Sequence, residues 1–79
     1  MRHKIDIIIE ILEIAEKGIN KTRIVYGANL NFKLAEKYLA LLIQNGLMKK
    51  NQDKFVTSEK GRIVLEKAKE ISMLLDKNG

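Results

Sequence analysis

A mainly α-helical domain with one small β-hairpin is the fold class this sequence predicts, in the order α-α-α-β-β-α. Three observations predict it. Gly18, Gly27, Gly46 and Gly61 punctuate a chain that has no proline. Several of the resulting pieces carry apolar residues at helical spacing. Just before the last helical piece, two short runs flank a polar tip, the pattern of a hairpin.

Residues 3 to 17 read as the first helix. Ile5, Ile8, Ile9, Leu12 and Ala15 form one apolar line, and Ile7, Ile11 and Ile14 form a second beside it. Together they span about 220° of the helix, against the roughly 100° that a one-sided helix buries. Asp6, Glu10, Glu13 and Lys17 share the narrow polar side, and Gly18 is the expected end. Asn20 can cap a short second helix over 21 to 27, with Ile24 and Val25 inward. A tight turn follows from Gly27 to Leu30, with Leu30 plugging the core. Asn31 caps a third helix that runs to about residue 45. Ala35, Leu39, Leu42 and Ile43 are its expected buried stripe, and Lys33, Glu36, Lys37, Ala40 and Gln44 line the opposite face.

Residues 47 to 51 and 54 to 57 read as the hairpin, turning at Gln52 and Asp53, with Phe55 in its core. Ser58 caps the last helix, which extends to about Lys77, and Glu59 sits at its positive end. Val64, Ala68, Ile71 and Leu75 follow the spacing of a coiled-coil seam, widened by Ile63, Leu65 and Leu74. The first helix and this seam each carry more apolar surface than a small core needs. They could cover each other within one chain. Dimerisation is the preferred reading, through Ile7, Ile11 and Ile14 of the first helix and Val64, Ala68, Ile71 and Leu75 of the last.

A short helix, a tight turn and a longer helix make a helix-turn-helix, and a hairpin directly after it makes the arrangement winged. Residues 1–57 form this unit. Residues 58–79 add a dimerisation helix within what remains a single domain.

Charge follows the same organisation. Lys and Arg total 15 against 10 Asp and Glu, a net charge of +5. Residues 31 to 57 hold five of the bases and only two of the acids, so most of the excess lies on the third helix and the hairpin. These are the elements a winged helix lays on DNA. Lys21, Thr22 and Arg23 begin the second helix, where phosphates are favoured. Lys49, Lys50 and Lys54 on the hairpin suit phosphates or a minor-groove edge. Asn31, Lys33 and Lys37 are the candidates for the major groove, since Asn and Lys match the edges of adenine and guanine. Glu36 could accept from a cytosine amino group or simply pair along the helix with Lys33. Tyr38 borders the buried stripe and should pack. Tyr26 could equally meet nucleic acid or solvent.

Several classes are excluded by what the chain lacks. It has no cysteine and one histidine, His3, so neither a zinc set nor an acid–base pair can be assembled. No enzyme activity, metal or other cofactor is expected. No apolar run approaches a membrane span, and acids interrupt the N-terminal apolar stretch. The expected setting is cytoplasmic and nucleoid-associated.

The stretch from Lys21 through Asn31 resembles the helix-turn-helix of a family of small archaeal winged-helix proteins. So do the later pairs Tyr38-Leu39 and Gly46-Leu47. Thr57 to Gly61 is similar to that family's Thr-x-x-Gly motif, with one residue more between the two ends. The family includes ten-kilodalton chromatin-type proteins and presumed transcription regulators. The resemblance implies duplex DNA binding by a homodimer joined through antiparallel C-terminal helices, although the last helix here is short for that coiled coil. The alternative function is a winged helix serving as a protein-interaction module in a larger complex, recognisable by an exposed apolar patch on the third helix. RNA binding is a third alternative.

Overall fold

A computed structural model describes residues 2–77 of the 79. Met1, Asn78 and Gly79, the ends of the two expected segments, lie outside the described residues. The elements are α1 (Lys4–Ile14), β1 (Ile19–Asn20), α2 (Lys21–Gly27), α3 (Phe32–Gln44), β2 (Met48–Asn51), β3 (Lys54–Thr57) and α4 (Glu59–Lys77). The expected mainly α architecture and its hairpin are present. An additional strand, β1, extends the hairpin into a three-stranded antiparallel sheet with the order β1-β3-β2.

Helix α1 starts where the Asp6 carboxylate accepts the His3 backbone N–H, at 3.1 Å. It ends at Ile14, three residues earlier than its periodicity predicts. The reason lies in β3. The Thr57 hydroxyl donates to the Leu12 carbonyl at 2.7 Å, and the Thr57 N–H donates to the Ala15 carbonyl at 3.0 Å. Carbonyls at a helix end need partners from outside the helix, and the sheet supplies them. Gly18 does not cap the helix directly. It adopts φ +86°, a left-handed conformation that turns the chain into β1. Ile19 then pairs with Phe55, and Asn20 with Lys54.

The two asparagine caps form as expected. Asn20 Oδ1 accepts the Arg23 N–H at 2.9 Å, and Asn31 Oδ1 accepts the Leu34 N–H at 2.7 Å. Between the two helices, the Leu30 N–H donates to the Val25 carbonyl at 2.8 Å, and the Leu30 side chain packs on the core. Ser58 holds the start of α4: its Oγ accepts the Gly61 N–H at 3.0 Å, and its hydroxyl donates to the Gly46 carbonyl at 2.7 Å. Gly61 allows this close packing, because a Cβ there would overlap the Leu47 carbonyl oxygen.

Ile11, Leu12, Ile24, Leu42 and Met48 are the largest fully buried side chains. Helix α1 packs against both α2 and α4 and touches β3. Much of its wide apolar arc is therefore covered within one chain. This corrects the expected dimer interface in part. Ile11 is 0% exposed, Ala68 is buried, and Ile7, Ile14 and Val64 pack against the same core. Ile11 and Ala68 therefore offer no face to a second chain, whereas Ile7, Ile14 and Val64 remain half-buried. Ile71 and Leu75 differ, at 48% and 57% exposed. They lie near the end of α4, with Met73 and Leu74 also exposed.

Helix α3 also departs from expectation at one position. Ile43 is exposed, and Tyr38 joins Ala35, Leu39 and Leu42 in the buried stripe. At about 100° per residue, Ile43 falls roughly a quarter-turn from the centre of the arc those four define. Phe55 is buried as expected.

Candidate nucleic-acid interface

The candidate interface is assembled from three elements held by the core. Helix α2 presents Lys21, Thr22 and Arg23 at its start, and α3 presents its own capped start a tight turn later. The hairpin lies beside α2 because β1, which leads directly into α2, is hydrogen-bonded to β3.

The sheet register sorts the three hairpin lysines. Met48 pairs with Thr57 and Lys50 with Phe55, so these four share one face of the sheet, buried at Met48, Thr57 and Phe55 and exposed at Lys50. Lys50 lies over the Phe55 ring, with its Nζ 5.6 Å from the centroid, within cation–π range. It lines a shallow depression with Asn20, Lys21, Thr22 and Asp53. The structure thus brings Lys21, Thr22 and Lys50 together. Lys49 falls on the opposite face, in a depression it shares with Glu59, Arg62 and Glu66. Lys54 is exposed beside the hairpin tip.

On α3, Lys33 and Lys37 are exposed on the face opposite the buried stripe. Lys37 borders a second groove, of about 390 Å³, with Lys4, Leu34 and Tyr38. Glu36 on this face is engaged, though not with Lys33. Its carboxylate accepts from Lys21 Nζ at 3.2 Å, tying the start of α2 to α3. Arg23 is exposed. The exposed Asn31 side chain spends one acceptor site of its oxygen on the cap, leaving its amide nitrogen and a second lone pair for a ligand. Tyr38 packs as expected, and Tyr26 is 76% exposed.

Arg2, which no sequence pattern singles out, braces the turn of the motif. Its guanidinium donates to the Ala28 carbonyl at 2.6 Å and to the Asn29 carbonyl at 3.2 Å. The Glu10 carboxylate pairs with the same guanidinium at 3.0 Å. Asn29 adopts φ 54°, so the turn has a left-handed residue of the type that tolerates it. No local signal links Arg2 to a turn so far along the chain; only the packing of α1 beside α2 makes the link.

These parts define a winged helix-turn-helix: α2, a braced turn, α3 with a free and capped start, and a hairpin alongside. The chain belongs to the winged helix-turn-helix family, which it matches over residues 1–76. It is similar to an uncharacterized protein of Methanocaldococcus jannaschii, with 45% identity over 62 residues covering 77% of this chain and 64% of that protein. A second uncharacterized protein of that organism is 37% identical over 75 residues, covering 94% of this chain and 36% of that protein. The chain therefore spans less than two-thirds of either relative. Its fold is similar to that of Sso10a-2, a DNA-binding protein from Sulfolobus solfataricus. The TM-score is 0.86 at 29% identity, covering 96% of this chain and 84% of that one. The resemblance to small archaeal winged-helix proteins is borne out by these matches.

Proposed function

We propose that the protein binds duplex DNA as a homodimer, in transcription regulation or chromatin organisation. The observation that carries the reading is the start of α3. It exposes Lys33 and Lys37, and on the neighbouring elements Lys21 and Lys50 line one depression with Asp53. In this reading α3 enters the major groove, while α2 and the hairpin hold phosphates on either side. The DNA-binding character of the similar Sulfolobus protein supports it. The exposed end of α4, with Ile71 and Leu75, supplies the dimer contact.

Helix α3 also exposes Phe32, Leu41 and Ile43, the residue type a protein-binding helix would display. They do not form one patch. Leu41 points about 180° from Phe32, and Ile43 lies about 16 Å along the helix from it. This favours nucleic acid over a protein partner.

The test is alanine substitution of single lysines, with DNA affinity measured against salt. Removing a cation that neutralises one phosphate makes the slope of log affinity against log salt shallower by about 0.9. Lys50→Ala and Lys33→Ala are expected to have this effect. Lys49→Ala, on the α4 side of the hairpin, is expected to leave the slope unchanged. Equal slopes for all three variants and the parent protein would refute the assignment.

A further inference from the structure

We infer that Phe32 is a specificity-determining residue that reads the methyl groups of thymine in the major groove; this rests on the DNA reading above. Phe32 is the first residue of α3 and is 47% exposed. It belongs neither to the buried core nor to the half-buried side chains packed on it. A helix entering the major groove meets base edges with its first turns, so Phe32 occupies a reading position with about half of its surface open.

The polar neighbours sharpen the assignment. The adenine edge needs an amide that donates and accepts together, and the Asn31 side-chain oxygen already accepts the Leu34 N–H at 2.7 Å. Glu36, one turn on, is held by Lys21. Phe32, Lys33 and Lys37 are the exposed side chains in the first turns of α3 that these bonds do not engage. By helical geometry Phe32 sits about 100° from Lys33 and about 140° from Lys37. The lysines and the ring therefore reach different parts of the groove wall and floor. An apolar side chain finds one apolar feature there, the thymine C5-methyl group.

The experiment compares an A/T-rich duplex with the same duplex carrying uracil in place of every thymine, which deletes only that methyl. Binding is measured by fluorescence anisotropy. The parent protein is expected to bind the thymine duplex more tightly, by about fourfold for each methyl buried. Phe32→Ala should bind both duplexes alike and retain the steep salt dependence. Phe32→Leu, which keeps an apolar side chain, should keep part of the preference. Circular dichroism establishes that each variant is folded. Equal binding of the two duplexes by the parent protein overturns the inference and leaves the DNA reading standing. A preference that survives in Phe32→Ala overturns it as well. No binding to either duplex at low salt overturns the DNA reading itself.

Discussion

Single residues carry two kinds of work in this chain. Thr57 is buried at the meeting point of β3 and α1, and its hydroxyl and N–H satisfy two carbonyls at the end of that helix. Thr57→Val keeps the shape and removes the hydroxyl, leaving the Leu12 carbonyl without that partner. The expected loss is about 1–3 kcal/mol of stability, measured by urea denaturation. Asp6 acts at the other end of α1. The His3 backbone N–H it accepts, helped by the Ser72 hydroxyl at 3.1 Å, holds its carboxyl below the usual aspartate value. A lowered folded-state pKa stabilises the fold above the ordinary value, about 3.9, and this contribution fades as pH falls through the folded value. The melting temperature of the parent protein should therefore fall faster below pH 4 than that of Asp6→Asn. Parallel curves would show that Asp6 contributes nothing to acid sensitivity. Neither role was legible in the sequence. A threonine before a serine cap and an aspartate in a first helical turn look ordinary until the fold brings Leu12 and Ser72 to them.

Elements were legible wherever local chemistry sets them. Asn20 and Asn31 each cap a helix because the asparagine side chain can accept from the third residue on. Both positions could be placed from the residue type and the apolar spacing that follows. Strand β1 could not. It is two residues long, Ile19 and Asn20, too short to show alternation, and exists only through pairing with Phe55 and Lys54. The end of α1 departs from its periodicity for a related reason: the apolar period continues to Ala15, while the last carbonyls are claimed by a strand far along the chain. The candidate site shows the same divide. The cations of α2, α3 and the hairpin could be named, but the pairing of Lys21 with Glu36 crosses two helices and has no sequence pattern. That pair is half exposed and adds little to stability. Its weight lies in the charge it removes from the reading face. Glu36→Gln frees Lys21 and deletes a negative charge where phosphates would approach. The variant should bind random-sequence duplex DNA several-fold more tightly at low salt, with stability within about 0.5 kcal/mol of the parent. Weaker binding would mean that Glu36 itself contacts DNA.

At the scale of the whole molecule, α1 is the helix around which the domain closes, and this changes what its composition means. An apolar arc of about 220° suggested a partner chain. Helices α2 and α4 cover much of it from different sides, and Ile11 and Ala68 end in one core. Periodicity reports how much of a helix avoids water, but not whether the covering surface is the same chain. The last turns of α4 extend past this cover, with Ile71 and Leu75 exposed. In the proposed homodimer, Ile71→Asp should yield monomers in sedimentation with little change in helical content. A variant that remains dimeric would place the contact elsewhere.

The central claim is that the cations of α2, α3 and the hairpin make a surface for duplex DNA. It is tested most directly by fluorescence anisotropy with random-sequence duplex over a range of salt. The account predicts micromolar or tighter binding at low salt, with log affinity falling linearly against log salt by about 0.9 per phosphate contacted. No binding at low salt, or binding indifferent to salt, would contradict it.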